Sequence, residues 1–147
     1  MPGRFAIIFL KIKNGQKYFE SCLQEGIWII RQCGHGQSHD GIYKNHHLIV
    51  NVQQDRIVSS CVCVIIPNLT RNVRPYAFIE NVVTLSGFRG RGYATECLDY
   101  ARNIAEQNNC YKMMLLTGAK DQKILDFYKR AGYNSEDKTA FIQWIKP

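Results

Sequence analysis

The spacing of apolar residues changes several times along the chain, and each change predicts an element. Residues 5–12 alternate weakly and read as a first strand. Asn14 stands where a helix cap is expected, ahead of Tyr18, Phe19, Cys22 and Leu23 at three-and-four spacing, which predicts a helix. Residues 27–30 extend that stripe or form a short second helix. Between 33 and 47, Gly, His and Ser dominate, and a loop is expected, a kind of segment that often carries specificity and otherwise is merely mobile. From His47 the pattern turns to β. Residues 48–53 and 57–66 flank Gln54-Asp55 as a hairpin, Pro67 to Thr70 breaks it, and residues 76–85 form another strand.

A stretch with three glycines, Gly87, Gly90 and Gly92, follows that strand and leads directly into a helix. Ala94, Cys97, Leu98, Ala101, Ile104 and Ala105 keep the helical period until Asn108-Asn109 ends it. Residues 111–117 read as a buried strand. Asp121 caps a last helix running through Ala131, with Gly132 as its stop, and residues 139–145 alternate and close the sheet. The expected fold is α/β (α+β): one domain over residues 1–147, with a mixed sheet and helices on its faces.

Composition narrows the class. A chain of 147 residues with 46% apolar and 21% charged positions is neither disordered nor collagen-like. Its longest apolar runs, residues 5–10 and 61–66, fall far short of the roughly 20 residues that span a bilayer. The first is also too short for the core of a secretory signal, so a soluble, cytoplasmic protein is expected.

Nineteen Lys and Arg against twelve Asp and Glu give a net charge of +7, which attracts nucleic acid, a membrane surface or a phosphorylated cofactor. The cations are scattered and do not alternate with aromatics as in an RNA-binding module, so neither nucleic acid nor membrane is expected as a partner. Among six cysteines, Cys61 and Cys63 face one side of a strand, while Cys97 and Cys110 read as core hydrophobes. Cys33, His35 and His39 offer three zinc ligands but no fourth, and no metal is expected.

The strand-to-helix turn at residues 86–94 is where chemistry is expected. Amides at a helix start have no partner inside the helix, and the helix dipole gathers partial positive charge around them. Together they make an anion cradle. No Ser, Asp or Asn stands immediately before the first turn to consume these donors, although Thr95 could partly substitute, and Arg89 and Arg91 add charge. Neither a Walker loop nor a G-x-G-x-x-G fingerprint is present.

The string Arg89-x-x-Gly92-x-Ala94, nine residues after Glu80, resembles the acetyl-CoA signature of the GNAT superfamily of N-acetyltransferases. Asp121-x-x-Ile124-x-x-Phe127-Tyr128-x-x-x-Gly132-Tyr133 is similar to the family's C-terminal motif, with Asp121 and Ile124 replacing its usual Asn and Ala. Ile79 to Val83 and Cys110 to Lys112 are similar to stretches of glucosamine-6-phosphate N-acetyltransferases, although Asn81 stands where those enzymes carry an acidic residue.

The resemblance implies a mostly antiparallel central sheet and acetyl-CoA as co-substrate, with no metal. It implies that the amides of Gly90, Arg91, Gly92, Tyr93, Ala94 and Thr95 hold the pyrophosphate with the Arg89 and Arg91 side chains nearby. Val82, Val83 and Thr84 would offer strand-edge groups to the pantetheine arm, and one amide there would polarise the acetyl carbonyl. Asp121 and Phe127 would flank the cofactor. Glu80 is the candidate general base and Tyr128 the candidate acid for the departing thiolate. A small-molecule amine, first an amino sugar, is the implied acceptor, and a homodimer is allowed for. A peptide or protein acceptor and a non-catalytic acyl-CoA-binding module are the alternatives.

Overall fold

The computed structural model describes residues 9–13, 16–20, 26–30, 45–54 and 56–145. Within them, strands β1 (Phe9–Lys13) and β2 (Gln16–Glu20) pair antiparallel as a two-stranded sheet. Five further strands form the main sheet in sequential order: β3 (Gly26–Ile30), β4 (His46–Gln53), β5 (Arg56–Ile66), β6 (Tyr76–Thr84) and β7 (Met113–Leu115). The first four run antiparallel, and β7 joins β6 in parallel after the crossover through helix α1 (Tyr93–Gln107). Helix α2 (Gln122–Arg130) follows β7. The sheet is mixed and mostly antiparallel, as expected.

Four local expectations are corrected. The helix expected after Asn14 is strand β2, which pairs Tyr18 with Lys11 and Lys17 with Ile12. The residues between the two strands in sequence, Asn14-Gly15, are the strongest short-range hairpin signal, and they outweigh the apolar spacing that suggested a helix. Residues 27–30 lie in β3, where Trp28 pairs with Val50. Five residues rich in β-branched side chains gain more from joining a sheet than from an isolated turn of helix.

Residues 139–145 form no strand, and Phe141, Ile142, Trp144 and Ile145 are exposed. The strand expected at 111–117 shortens to Met113–Leu115, because β7 pairs only with Ala77, Phe78 and Ile79. The expected loop at 33–47 lies mostly outside the described residues, as do Cys33, His35 and His39; His46 and His47 already belong to β4.

The core forms where α1 crosses the sheet. Ile49, Cys61, Cys63, Ile65, Ala77 and Ile79 meet Cys97, Leu98, Ala101, Ile104 and Ala105. These helix residues recur at three and four positions, so one stripe is buried while Asp99, Arg102 and Glu106 stay in water. Burying Leu98 and Ile104 contributes about 1.5–3 kcal/mol each. Phe127, Tyr128, Ala131 and Tyr133 pack against the same cluster, which sets α2 beside the start of α1.

Candidate active site

Strand β6 changes character at its middle. Ala77 and Ile79 are buried in the core, whereas Glu80 and Asn81 are exposed. Opposite them on β5, Val62 pairs with Glu80 and Ser60 with Val83, so Asn81 and Val82 together face Cys61. That two-against-one arrangement is a β-bulge, which bends the strand and re-aims the residues beyond it. Asn81 takes φ 53°, a conformation Asn tolerates better than most residues. On its other side β6 pairs with β7 only as far as Ile79, so on that side residues 80–84 have no strand alongside them among the described residues.

A 3-10 turn, Ser86–Phe88, carries the chain from this open edge to α1. Gly90 (φ 73°) and Gly92 (φ 89°) take left-handed conformations, and a Cβ at either would meet no atom within 4 Å. Backbone angle, not crowding, therefore selects glycine there, and the space above the amides is open. Gly92 is the N-cap of α1 and has no side chain to cap with. The first bond of the helix runs from the Glu96 amide to the Gly92 carbonyl at 3.0 Å, which leaves the amides of Tyr93, Ala94 and Thr95 without an intrahelical partner.

The two arginines differ from each other. Arg89 Nε donates to the Thr84 carbonyl at 3.2 Å, tying the loop to the end of β6. The Arg91 guanidinium lies 5.3 Å from the Phe88 ring centroid. Ser59 donates to the Val83 carbonyl at 3.1 Å and lies 2.8 Å from the Thr84 hydroxyl. Two of the carbonyls expected to face a ligand, those of Val83 and Thr84, are thus engaged inside the protein.

Helix α2 forms the opposite wall. The Asp121 carboxylate accepts from the Lys123 amide at 2.9 Å, so this acidic replacement acts as the helix cap. The Phe127 and Tyr128 rings lie 5.0 Å apart, and Tyr133 meets Tyr128 edge-on at 6.1 Å. Burial pushes the Tyr128 hydroxyl above its usual range, and the nearby Cys61 thiol adds to the effect. The Tyr133 hydroxyl is pushed up further, chiefly by burial, and finds no hydrogen-bond partner among the described residues.

Between the end of β6, the glycine loop, the first turn of α1 and α2 lies a groove of about 680 Å³. Every residue predicted from β6, the loop and α1 to hold a ligand lines it except Arg91, and Phe127 and Tyr128 join them from α2. Glu80 and Asp121 lie outside the lining. Arg130 brings a further cation to the wall, and Ile124 and Ala131 add apolar surface.

The sequence reading missed the polar layer beneath the cradle: Asn51, Ser59 and Glu96. The signal was available, since Asn51 sits between Val50 and Val52 on the face that otherwise builds the core.

The sequence profile described as the Acetyltransferase (GNAT) family matches residues 14–133. Glucosamine 6-phosphate N-acetyltransferase of Trypanosoma brucei brucei is 31% identical over 83 residues, 56% of this chain and 54% of that protein. The chain therefore matches about half the length of that curated relative. A protein from Agrobacterium tumefaciens str. C58, provisionally named an acetyltransferase, superposes with a TM-score of 0.64 at 41% identity, over 68% of this chain and 69% of its own. The structure of a Trypanosoma brucei acetyltransferase gives 0.60 at 27% identity, over 68% and 70%.

Proposed function

Because the chain belongs to the GNAT family of acetyltransferases, we propose that it transfers an acetyl group from acetyl-CoA to the primary amine of a small molecule. One observation carries this reading: the uncapped start of α1 and the bulged, open edge of β6 border the same groove. The residues present fit a diphosphate-bearing donor. Amides without partners, two left-handed glycines with open space above them, and the Arg89 and Arg130 cations meet at one end.

When bound, acetyl-CoA supplies an activated thioester; the protein supplies position and proton management. The amides of residues 90–95 bind phosphate, and Val82 at the bulge offers main-chain groups to an amide-bearing arm. Direct attack by an amine requires that the nitrogen lose a proton, and Glu80, exposed at the bulge, takes it directly or through water. Tyr128 returns a proton to the thiolate that leaves. Its raised pKa keeps it protonated at the pH where an amine is free to attack. An amino sugar is the first acceptor to test, given the relation to a glucosamine 6-phosphate N-acetyltransferase.

A cytoplasmic homodimer belongs to the same reading. No helix among the described residues is long and apolar enough to cross a membrane. Exposed Phe141, Ile142, Trp144 and Ile145 lie on a segment without strand pairing among the described residues, and β7 is at the edge of the sheet these residues form, where a second copy's segment could add.

A thiol-release assay with acetyl-CoA against amino sugars, polyamines, amino acids, aminoglycosides and peptides tests the activity. Tyr128→Phe should lower turnover by roughly a hundredfold and leave acetyl-CoA affinity nearly unchanged. Glu80→Gln should lower turnover by roughly a hundredfold at saturating acetyl-CoA. Unaltered kinetics in either variant would remove that residue from its role.

A further inference from the structure

The acidic side chain in the first turn of α1 is Glu96, one residue beyond Thr95 in the groove wall. A carboxylate there is drawn toward the partnerless amides by the helix dipole and opposes any phosphate seated on them. The Glu96 carboxylate is instead held toward β4, on the sheet side of the helix. Asn51 Nδ2 donates to Glu96 Oε2 at 2.6 Å, and Gln53 Nε2 donates to Asn51 Oδ1 at 3.0 Å. The Glu96 side chain takes no part in lining the groove.

Asn51 is 0% exposed, on a sheet face it shares with Ile49, Cys61, Cys63 and Ile65 and with its buried cross-strand partner Ser59. A buried amide costs desolvation that a valine would avoid, so packing alone does not explain it. Its carbonyl is anchored by Gln53 and its amide nitrogen points at the carboxylate, an arrangement that fixes the Glu96 side chain against β4.

We propose that Asn51 is a positioning residue that anchors the Glu96 carboxylate on the sheet side of α1, keeping the anion cradle open to the phosphates of CoA. The inference rests on the reading of the groove as a CoA site and adds to it the group that keeps a competing anion away. Freed from Asn51, the Glu96 carboxylate can swing closer to the cradle, and its repulsion of a bound phosphate rises as that distance shortens.

Calorimetric titration with CoA, run on the wild type, Asn51→Val, Glu96→Gln and the double variant, tests it. The wild type should bind. Asn51→Val, which fills the site with a β-branched side chain but offers no donor, should bind on the order of tenfold more weakly at low salt, with the gap narrowing as salt is raised. Glu96→Gln and the double variant should both bind within about twofold of the wild type, because the interfering charge is gone. Should Asn51→Val fail to fold by circular dichroism, Asn51→Ala takes its place in the same four-way comparison.

If the double variant stays as weak as Asn51→Val, Asn51 acts only through packing and the proposal is overturned. Wild-type affinity in Asn51→Val overturns it as well. Absence of CoA binding by the wild type would instead overturn the reading beneath it.

Discussion

Gly92 holds φ at 89° where the chain turns into α1, and its missing side chain leaves the first amides uncovered. Gly92→Val would meet no neighbour at Cβ, so its effects arise from backbone strain of about 1–2 kcal/mol and from a branched group over the cradle. CoA affinity should fall on the order of tenfold or more, while the melting temperature falls by only a few degrees. Equal affinity by calorimetry would count against the cradle. Tyr133 presents the opposite case, a polar atom without a use. Its hydroxyl is buried and unpartnered among the described residues, and such a group costs about 1–3 kcal/mol. Tyr133→Phe should therefore raise the melting temperature or leave it unchanged; a clear drop would mean that the hydroxyl is satisfied in solution.

At the scale of elements, α1 and the sheet share a core containing three buried thiols. Burial raises all three above the ordinary value of 9.0: Cys97 to about 11, Cys63 to about 12, and Cys61 beyond that. Once unfolded, the chain ionises its thiols near 9.0, while the folded protein holds those protons. Stability is therefore complete below about pH 9 and is lost as pH rises from there toward the folded values. Thermal melts should be flat from about pH 7 to 8.5 and fall steeply by about pH 10.5. A melting temperature independent of pH across that interval would contradict the packing of these thiols.

The same elements show what a sequence reveals. Helix α1 was legible because its stripe repeats over fifteen residues, and the cradle because glycine spacing reports backbone angles directly. Strand β2 was misread because five residues carry too little periodicity to separate helix from strand. The bulge at Asn81 depends on register between strands, and the Asn51–Glu96 bond on how α1 packs against β4, neither of which local spacing encodes.

At the scale of the whole molecule, the groove beside α1 and the apolar segment at 139–145 are both open to solvent. The second predicts association. Trp144 is 84% exposed and Phe141 94% exposed, and large apolar groups concentrated on an unpaired segment mark an interface. Light scattering should report a dimer for the wild type and a shift to monomer for Trp144→Glu; a monomeric wild type would exclude that role. The first feature carries the central claim, that unpartnered amides and a bulged strand edge together hold CoA. Amide NMR spectra recorded during titration with CoA address it directly. The account predicts saturable shifts concentrated at residues 89–95 and 82–84, with smaller ones along α2. Spectra that stay unchanged, or shifts centred at the far end of the sheet around Leu69 and Val73, would contradict it.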